Sequence, residues 1–335
     1  MVSITGYDLA VLKGELTSSR RQAYAEGTRQ GHYRQWKSFI KFCLHYGLQW
    51  LPLESEVISL YAQFIARSVK SPDTVKNYIS SVKVMYIILN QPVQGFSSFE
   101  LRLALKGIAR SKRHRVKQAA PITPQLLAQF TQHLDLQHPV DATYWSLFLT
   151  AFFAMARKSN LVPESAAKYD PKKQLCRDRV LVGQQCLLLI WDWAKNIQQG
   201  ERMHKVPLLP ISGSLLCPVS SYKQMCKLVP AEGTDPAFCV THKGKRVPIT
   251  YRQFNAKLKQ LVGKCGLEPS KFSSHSFRRG GATCAFRARV PETLIQLQGD
   301  WASNCYKNYL RMGLQEKPMV SASMNKMVAL QTRVH

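Results

Sequence analysis

The sequence predicts a mainly α protein of two domains, the first all-helical and the second α+β with a small antiparallel sheet. Three observations carry that expectation. Apolar residues recur at helical spacing through most of the chain, one short region reads as paired strands, and a basic cluster near position 110 interrupts the pattern. The 335 residues suit about two domains at roughly 100–200 residues each. A hydrophobic content of 45% is enough for two sizeable cores.

In the first domain, residues 1–110, Tyr33, Trp36, Ile40 and Cys43 fall on one helical face. Val57, Leu60, Tyr61, Phe64 and Ile65 mark a second helix. A third begins at "SPDTVKNYISS", where Ser71 is a good N-cap and Pro72 suits the first helical position. Phe99 to Ile108 supply a fourth. "ARSKRHRVKQAAPITP" then crowds Arg110, Lys112, Arg113, Arg115 and Lys117 together, and Pro121 and Pro124 close it. Residues 111–121 read as a basic linker whose cations suit phosphates; a solvated helix end is the alternative.

The second domain, residues 122–335, opens with the helix signal Thr123-Pro124, followed by the apolar "YWSLFLTAFFAMARKSNL". Cys186–Lys195 and Arg202–Pro210 read as two strands joined by a turn containing Gly200. Helical patterns resume and continue to the end. Met319, Val320, Met324, Met327, Val328 and Ala329 give the last of them an apolar face, with Ser321 or Ser323 as its cap. No repeat or low-complexity tract is visible.

Charge bounds the partner. Lys and Arg number 47 against 20 Asp and Glu, a net +27, which favours a polyanion and above all nucleic acid. The longest apolar run, Leu147–Ala156, is short of the ~20 residues of a membrane span, and the N-terminus lacks a signal-peptide pattern. The expectation is a soluble, intracellular chain. The nine cysteines form no Cys-x-x-Cys pair, so neither a zinc module nor a disulfide framework is readable.

Chemistry concentrates in "SSHSFRRGGATCAFRARVPETLIQLQGDWASNCYKNYL". Ser273–Leu310 holds a histidine, arginines, a tryptophan and two tyrosines against only two acids, Glu292 and Asp300. "RRGGAT" lacks the spacing of a phosphate-binding P-loop. Few acids anywhere argue against a two-metal nuclease, and no metal or cofactor is expected. Two arginines forked onto non-bridging oxygens activate a phosphate without metal, given a nucleophile, a base and an acid for the leaving oxygen.

Those parts occur in a recognisable order. His275-Ser276-Phe277-Arg278, then Gly299-Asp300-Trp301, then Tyr309 resemble the catalytic run of the tyrosine recombinase (phage integrase) family. Upstream, "AMARKSNL" resembles the segment bearing that family's first arginine, here Arg157. "WDWAKNIQQGERMHKVPL" resembles the hairpin bearing its lysine, here Lys195. "HSFRRGGAT" and "LQGDW" look closest to recombinases of eukaryotic mobile elements, of the Crypton and DIRS types. The layout resembles the family's helical core-binding domain and α+β catalytic domain, so the likeness covers nearly the whole chain.

The resemblance implies strand cleavage and rejoining of double-stranded DNA through a 3′-phosphotyrosine, without ATP, serving integration or excision of a mobile element. It assigns Tyr309 as nucleophile, Arg157 and Arg278 as phosphate clamp, and Lys195 as proton donor to the leaving 5′-oxygen. His275 handles the tyrosine proton, and Trp301 contacts the phosphate and packs the site. It further implies a tetramer on synapsed DNA, with the tail helix docked in a neighbouring protomer, and a nuclear location in a eukaryote or the nucleoid otherwise. Tyr306, one turn from Tyr309, is the rival nucleophile. Two departures stand out: Tyr309 comes one residue early, and Asn160 replaces an acid common three residues after the first arginine. Each residue also has an ordinary reading: arginine capping a helix, lysine ending a strand, tryptophan in a core. A non-catalytic DNA-binding protein and a type IB topoisomerase are the competing functions.

Overall fold

A computed structural model describes residues 8–114, 118–194, 196–197, 202–308 and Met324, with only the backbone at Cys305 and Asn308. The chain divides into two compact units between Lys117 and Gln118. Among the described residues no helix is long and apolar enough to cross a membrane.

Unit 1 is all-helical: α1 (Leu9–Gln22), α2 (Glu26–Tyr46), α3 (Ser55–Ser68), α4 (Pro72–Ile88) and α5 (Phe99–Lys112). Ser71 caps α4 as its sequence predicts, its hydroxyl accepting the Asp73 N–H at 3.2 Å. The core face of α2 is rotated from the expected one. Phe39 and Phe42 are buried with Trp36 and Cys43, whereas Tyr33 is exposed. Leu60 and Phe64 on α3 are likewise exposed, because Ile58 and Ala62 turn inward beside Tyr61. Both helices carry more apolar residues than one face holds, and packing with Tyr86 and Val82 of α4 selects among them.

The end of α5 corrects the linker. The helix runs on to Lys112, so Arg110 and Lys112 belong to its last turn. There Lys112 donates to the Val69 carbonyl at 2.6 Å. Arg113 ends the helix in a left-handed conformation. Arg115 and Lys117 lie outside the described residues.

Unit 2 continues with α6 (Pro124–Thr131), α7 (Pro139–Phe153), α8 (Lys158–Leu161), β1 (Val180–Val182), β2 (Leu187–Trp191), β3 (His204–Leu208), α9 (Pro218–Leu228), β4 (Cys239–His242), β5 (Lys245–Pro248), α10 (Tyr251–Lys264), α11 (His275–Arg287) and α12 (Glu292–Gln298). Strands β1, β2 and β3 form an antiparallel sheet in that order. A second hairpin, β4–β5, stands where the sequence reading expected helix. Its strands are only four residues each, and the turn relies on positive φ at Lys243 and Gly244. Two such short runs leave little period-2 signal.

The central element is α7, apolar on every side and buried from Ala142 to Phe152. Phe148 stacks on Phe277 of α11 at 4.9 Å and on Phe254 of α10 at 5.6 Å. Close approach of α11 requires its two glycines. A Cβ at Gly280 would run into the Ile122 carbonyl, and one at Gly281 into the Phe152 carbonyl. The "RRGGAT" glycines are therefore packing residues.

Gly281→Ala is expected to destabilise unit 2 by about 3 kcal/mol or more, since backbone blocks the new methyl. Gly107→Ala on α5, where nothing lies within 4 Å, is expected to stabilise unit 1 by about 1 kcal/mol. Thermal melts of the two variants check both signs.

Candidate functional site

Four of the six sequence-derived catalytic residues are described: Arg157, His275, Arg278 and Trp301. Lys195 and Tyr309 lie outside the described residues. The four meet at the C-terminal end of α7, beside the sheet.

Arg157 reaches the site through a backbone reversal. Past α7, Met155 adopts a left-handed conformation (φ 48°), and Arg157 then precedes α8. That conformation costs a non-glycine residue roughly 1–2 kcal/mol. The freed Met155 carbonyl accepts the Arg278 Nη1–H. Arg278 follows His275 by one turn of α11 and is only 3% exposed. Its guanidinium carbon lies 3.9 Å from the centroid of the Trp301 ring. Such a desolvated cation–π contact is worth about 2 kcal/mol. Trp301 is thus both core and site: it packs with Met155, Ala282, Ile295 and Tyr306 in a satellite cluster.

The tryptophan is aimed by the two residues before it. The ring lies so close to Gly299 that a Cβ there would collide with it. Asp300 is left-handed (φ 51°) and buried. Arg157 grips it twice, Nη1 donating to Oδ2 at 3.1 Å and Nη2 to the backbone oxygen at 2.9 Å. The Arg202 guanidinium takes Oδ1, and Asn196 Nδ2 donates to the same backbone oxygen at 2.8 Å. Asp300, Asn196 and Arg202 escaped the sequence reading as site residues. The available signal was that Asp300 is one of two acids in a basic stretch. Asn160 also has an occupation: its amide donates to the Trp193 carbonyl at 3.1 Å, and its own carbonyl accepts the Trp191 indole N–H at 3.1 Å.

Tyr306 is buried, its hydroxyl donating to Glu292 at 2.9 Å and its ring 6.0 Å from Trp301. Both acids of the Ser273–Leu310 stretch are therefore spent on local partners. Of the basic cluster near 110, Arg110 and Arg113 are exposed in unit 1.

Arg157, Arg278, His204 and Asp300 are among the residues lining a small pocket of about 10 Å³. That is room for about one water molecule. His275 keeps contact with solvent, yet partial burial of its ring lowers its pKa first, and the charges of Arg278, Lys158, Arg157 and Arg279 lower it further. A neutral imidazole accepts a proton; these cations disfavour the protonated form.

The lowered folded pKa fixes a pH dependence. With an unfolded value near 6.5, the neutral ring contributes stability that is present above about pH 6.5 and lost as pH falls through the lowered folded pKa. Between about pH 8 and about pH 5, the wild-type Tm is expected to fall further than that of His275→Gln. Parallel slopes in the two sets of melts would contradict an effect of burial and neighbouring cations on the His275 ring.

No family model matches the chain, and no curated protein matches it. Solved structures do. XerH site-specific recombinase bound to palindromic difH substrate, in a post-cleavage complex, has a TM-score of 0.60 at 16% identity, covering 85% of this chain and 75% of that one. The Tn1549 transposon integrase with circular intermediate DNA has a TM-score of 0.58 at 13% identity, covering 92% and 98%. A lambda integrase dimer bound to a COC′ core site has a TM-score of 0.51 at 12% identity, covering 90% and 95%. These structural neighbours are a site-specific recombinase and two integrases, and this chain shares their fold.

Proposed function

We propose that this chain cleaves and rejoins double-stranded DNA through a covalent phosphotyrosine. The observation that carries the reading is the convergence of Arg157 and Arg278, from separate segments of unit 2, on one small pocket, with Trp301 against Arg278. Two guanidiniums so held can fork onto the non-bridging oxygens of a phosphodiester that approaches from outside, which suits arginine better than lysine. The recombinase-like fold, with neighbours bound to DNA, and the net charge of +27 support the same substrate.

In this reading Tyr309 Oη attacks phosphorus, forming a 3′-phosphotyrosine and expelling the 5′-oxygen. Lys195 protonates that oxygen. His275, held neutral by its surroundings, takes the tyrosine proton. Attack by a 5′-hydroxyl of another strand reverses the step, so the phosphodiester energy is conserved. Tyr306 has a structural occupation in the pair with Glu292, which favours Tyr309 as nucleophile. Integration or excision of a mobile element of the Crypton or DIRS type, in a nucleus, is the biological setting we favour.

A nicked suicide duplex carrying the ends of the host element tests the chemistry. Wild type and Tyr306→Phe are expected to form a covalent protein–DNA band. Tyr309→Phe is expected to lose it and to bind DNA nearly as well as wild type, since only a hydroxyl is removed. A band that survives in Tyr309→Phe and vanishes in Tyr306→Phe would move the nucleophile. Relaxation of random-sequence plasmid would favour a topoisomerase, and binding without any band a non-catalytic protein.

Assembly follows from the apolar tail sequence, which lies outside the described residues apart from Met324. A groove of about 730 Å³, bordered by α7, β3, α11 and α12, leaves Met203, Leu294 and Leu297 exposed. We assign that groove to the tail of a neighbouring protomer in a tetramer on synapsed DNA. Truncation after Gln315 is expected to leave folding and DNA binding intact and to weaken cooperative assembly by light scattering. A truncated chain that misfolds as a monomer would place the tail in its own core.

A further inference from the structure

Asp300 has more partners than a turn residue needs. Its side chain is 4% exposed, and the residue meets two separate pieces of unit 2: Arg157 between α7 and α8, and Asn196 and Arg202 in the β2–β3 connection. The grip on Arg157 has two prongs, Nη1 to Oδ2 and Nη2 to the backbone oxygen, so both the reach and the rotation of the guanidinium are set. A left-handed backbone is what lets one residue offer its carboxylate and its own carbonyl to the same arginine. Backbone held in such a sparsely populated region marks places where the surrounding structure imposes a conformation for a purpose.

The other end of the same residue holds the hairpin. Arg202 takes the second carboxylate oxygen, and Asn196 shares the backbone oxygen with Arg157. In the sequence, Lys195 stands directly before Asn196. Asn160, at the α8 side of the site, has given its amide to Trp193. Among the described residues, Asp300 is the acid that pairs with Arg157.

We infer that Asp300 is a positioning residue: it orients Arg157 for the phosphate and ties the β2–β3 connection, which carries Lys195, to that same guanidinium. The inference rests on the strand-transfer reading above. It assigns one residue the task of holding Arg157, Asn196 and Arg202 together.

Asp300→Asn tests it with little change in volume. The amide turns a donor toward either Arg157 or Arg202, so one of the two ties is lost. Single-turnover formation of the covalent adduct is expected to slow about ten- to a hundred-fold, since displacement of a catalytic group by about 1 Å has that effect. DNA affinity is expected to change less than about threefold. In an Arg157→Ala background the same substitution is expected to add almost nothing, because the two residues act as one unit. Rates that multiply, or an affinity and a Tm that fall in step with the rate, would overturn the inference in favour of a merely structural pin.

A readout without chemistry separates this inference from the strand-transfer reading. Limited trypsin digestion is expected to cut after Lys195 several-fold faster in Asp300→Asn, and also in Arg202→Gln, which alters a half-exposed side chain and spares the fold. Should wild type form no adduct at all, the strand-transfer reading fails, and digestion still decides whether Asp300 pins the connection. Cutting at the wild-type rate in both variants overturns it.

Discussion

Two guanidiniums repel, and unit 2 holds Arg157 and Arg278 against one cavity. Like charges held in one site repel, and burial raises the cost. Much of the local architecture answers that constraint. Arg278, the more buried, is met by the Met155 carbonyl and by the face of Trp301. Arg157 is met by the carboxylate and carbonyl of Asp300. These contacts stabilise the two cations where they stand.

The backbone carries the cost of this arrangement. Met155 and Asp300 both sit in the left-handed region, one presenting a carbonyl to Arg278 and the other to Arg157. Packing must hold them there. Gly281 lets α11 approach the end of α7 closely enough for Arg278 to reach Met155, and Gly280 lets the same helix lie against the Ile122 backbone. Gly299 performs the same service for the Trp301 ring. Three glycines and two strained residues thus form a mechanical frame around two arginines.

Much of this was legible in the sequence, and what was not has physical reasons. The fold class, the α4 and α6 caps and the main hairpin depend on local chemistry, such as the Thr123 hydroxyl accepting the Leu126 N–H at 3.1 Å. Local rules read such features directly. The buried face of α2 was misread because Tyr33, Ile40, Phe39 and Phe42 all suit a core, and only tertiary packing chooses. The β4–β5 hairpin was missed because four-residue strands barely register a period. The role of Asp300 was hidden for a different reason. It is a contact between residues 143 positions apart, and a backbone carbonyl makes half of it. Motif spacing brought Arg157, His275, Arg278 and Trp301 to notice without indicating what would hold them.

The acids show how a chain with so large a positive excess remains foldable. They are few, and several are committed to fixed local pairs. Asp141 receives Lys257 at 2.7 Å, tying α7 to α10. Glu292 receives the Tyr306 hydroxyl and Lys307, and Asp300 receives Arg157 and Arg202. Acids placed this way neutralise particular cations, and most of the positive excess stays unmatched. Arg110 and Arg113 remain exposed, so their charge acts outward. A polyanionic partner would then supply the countercharge that the chain itself withholds, and binding would release the small ions that occupy its place.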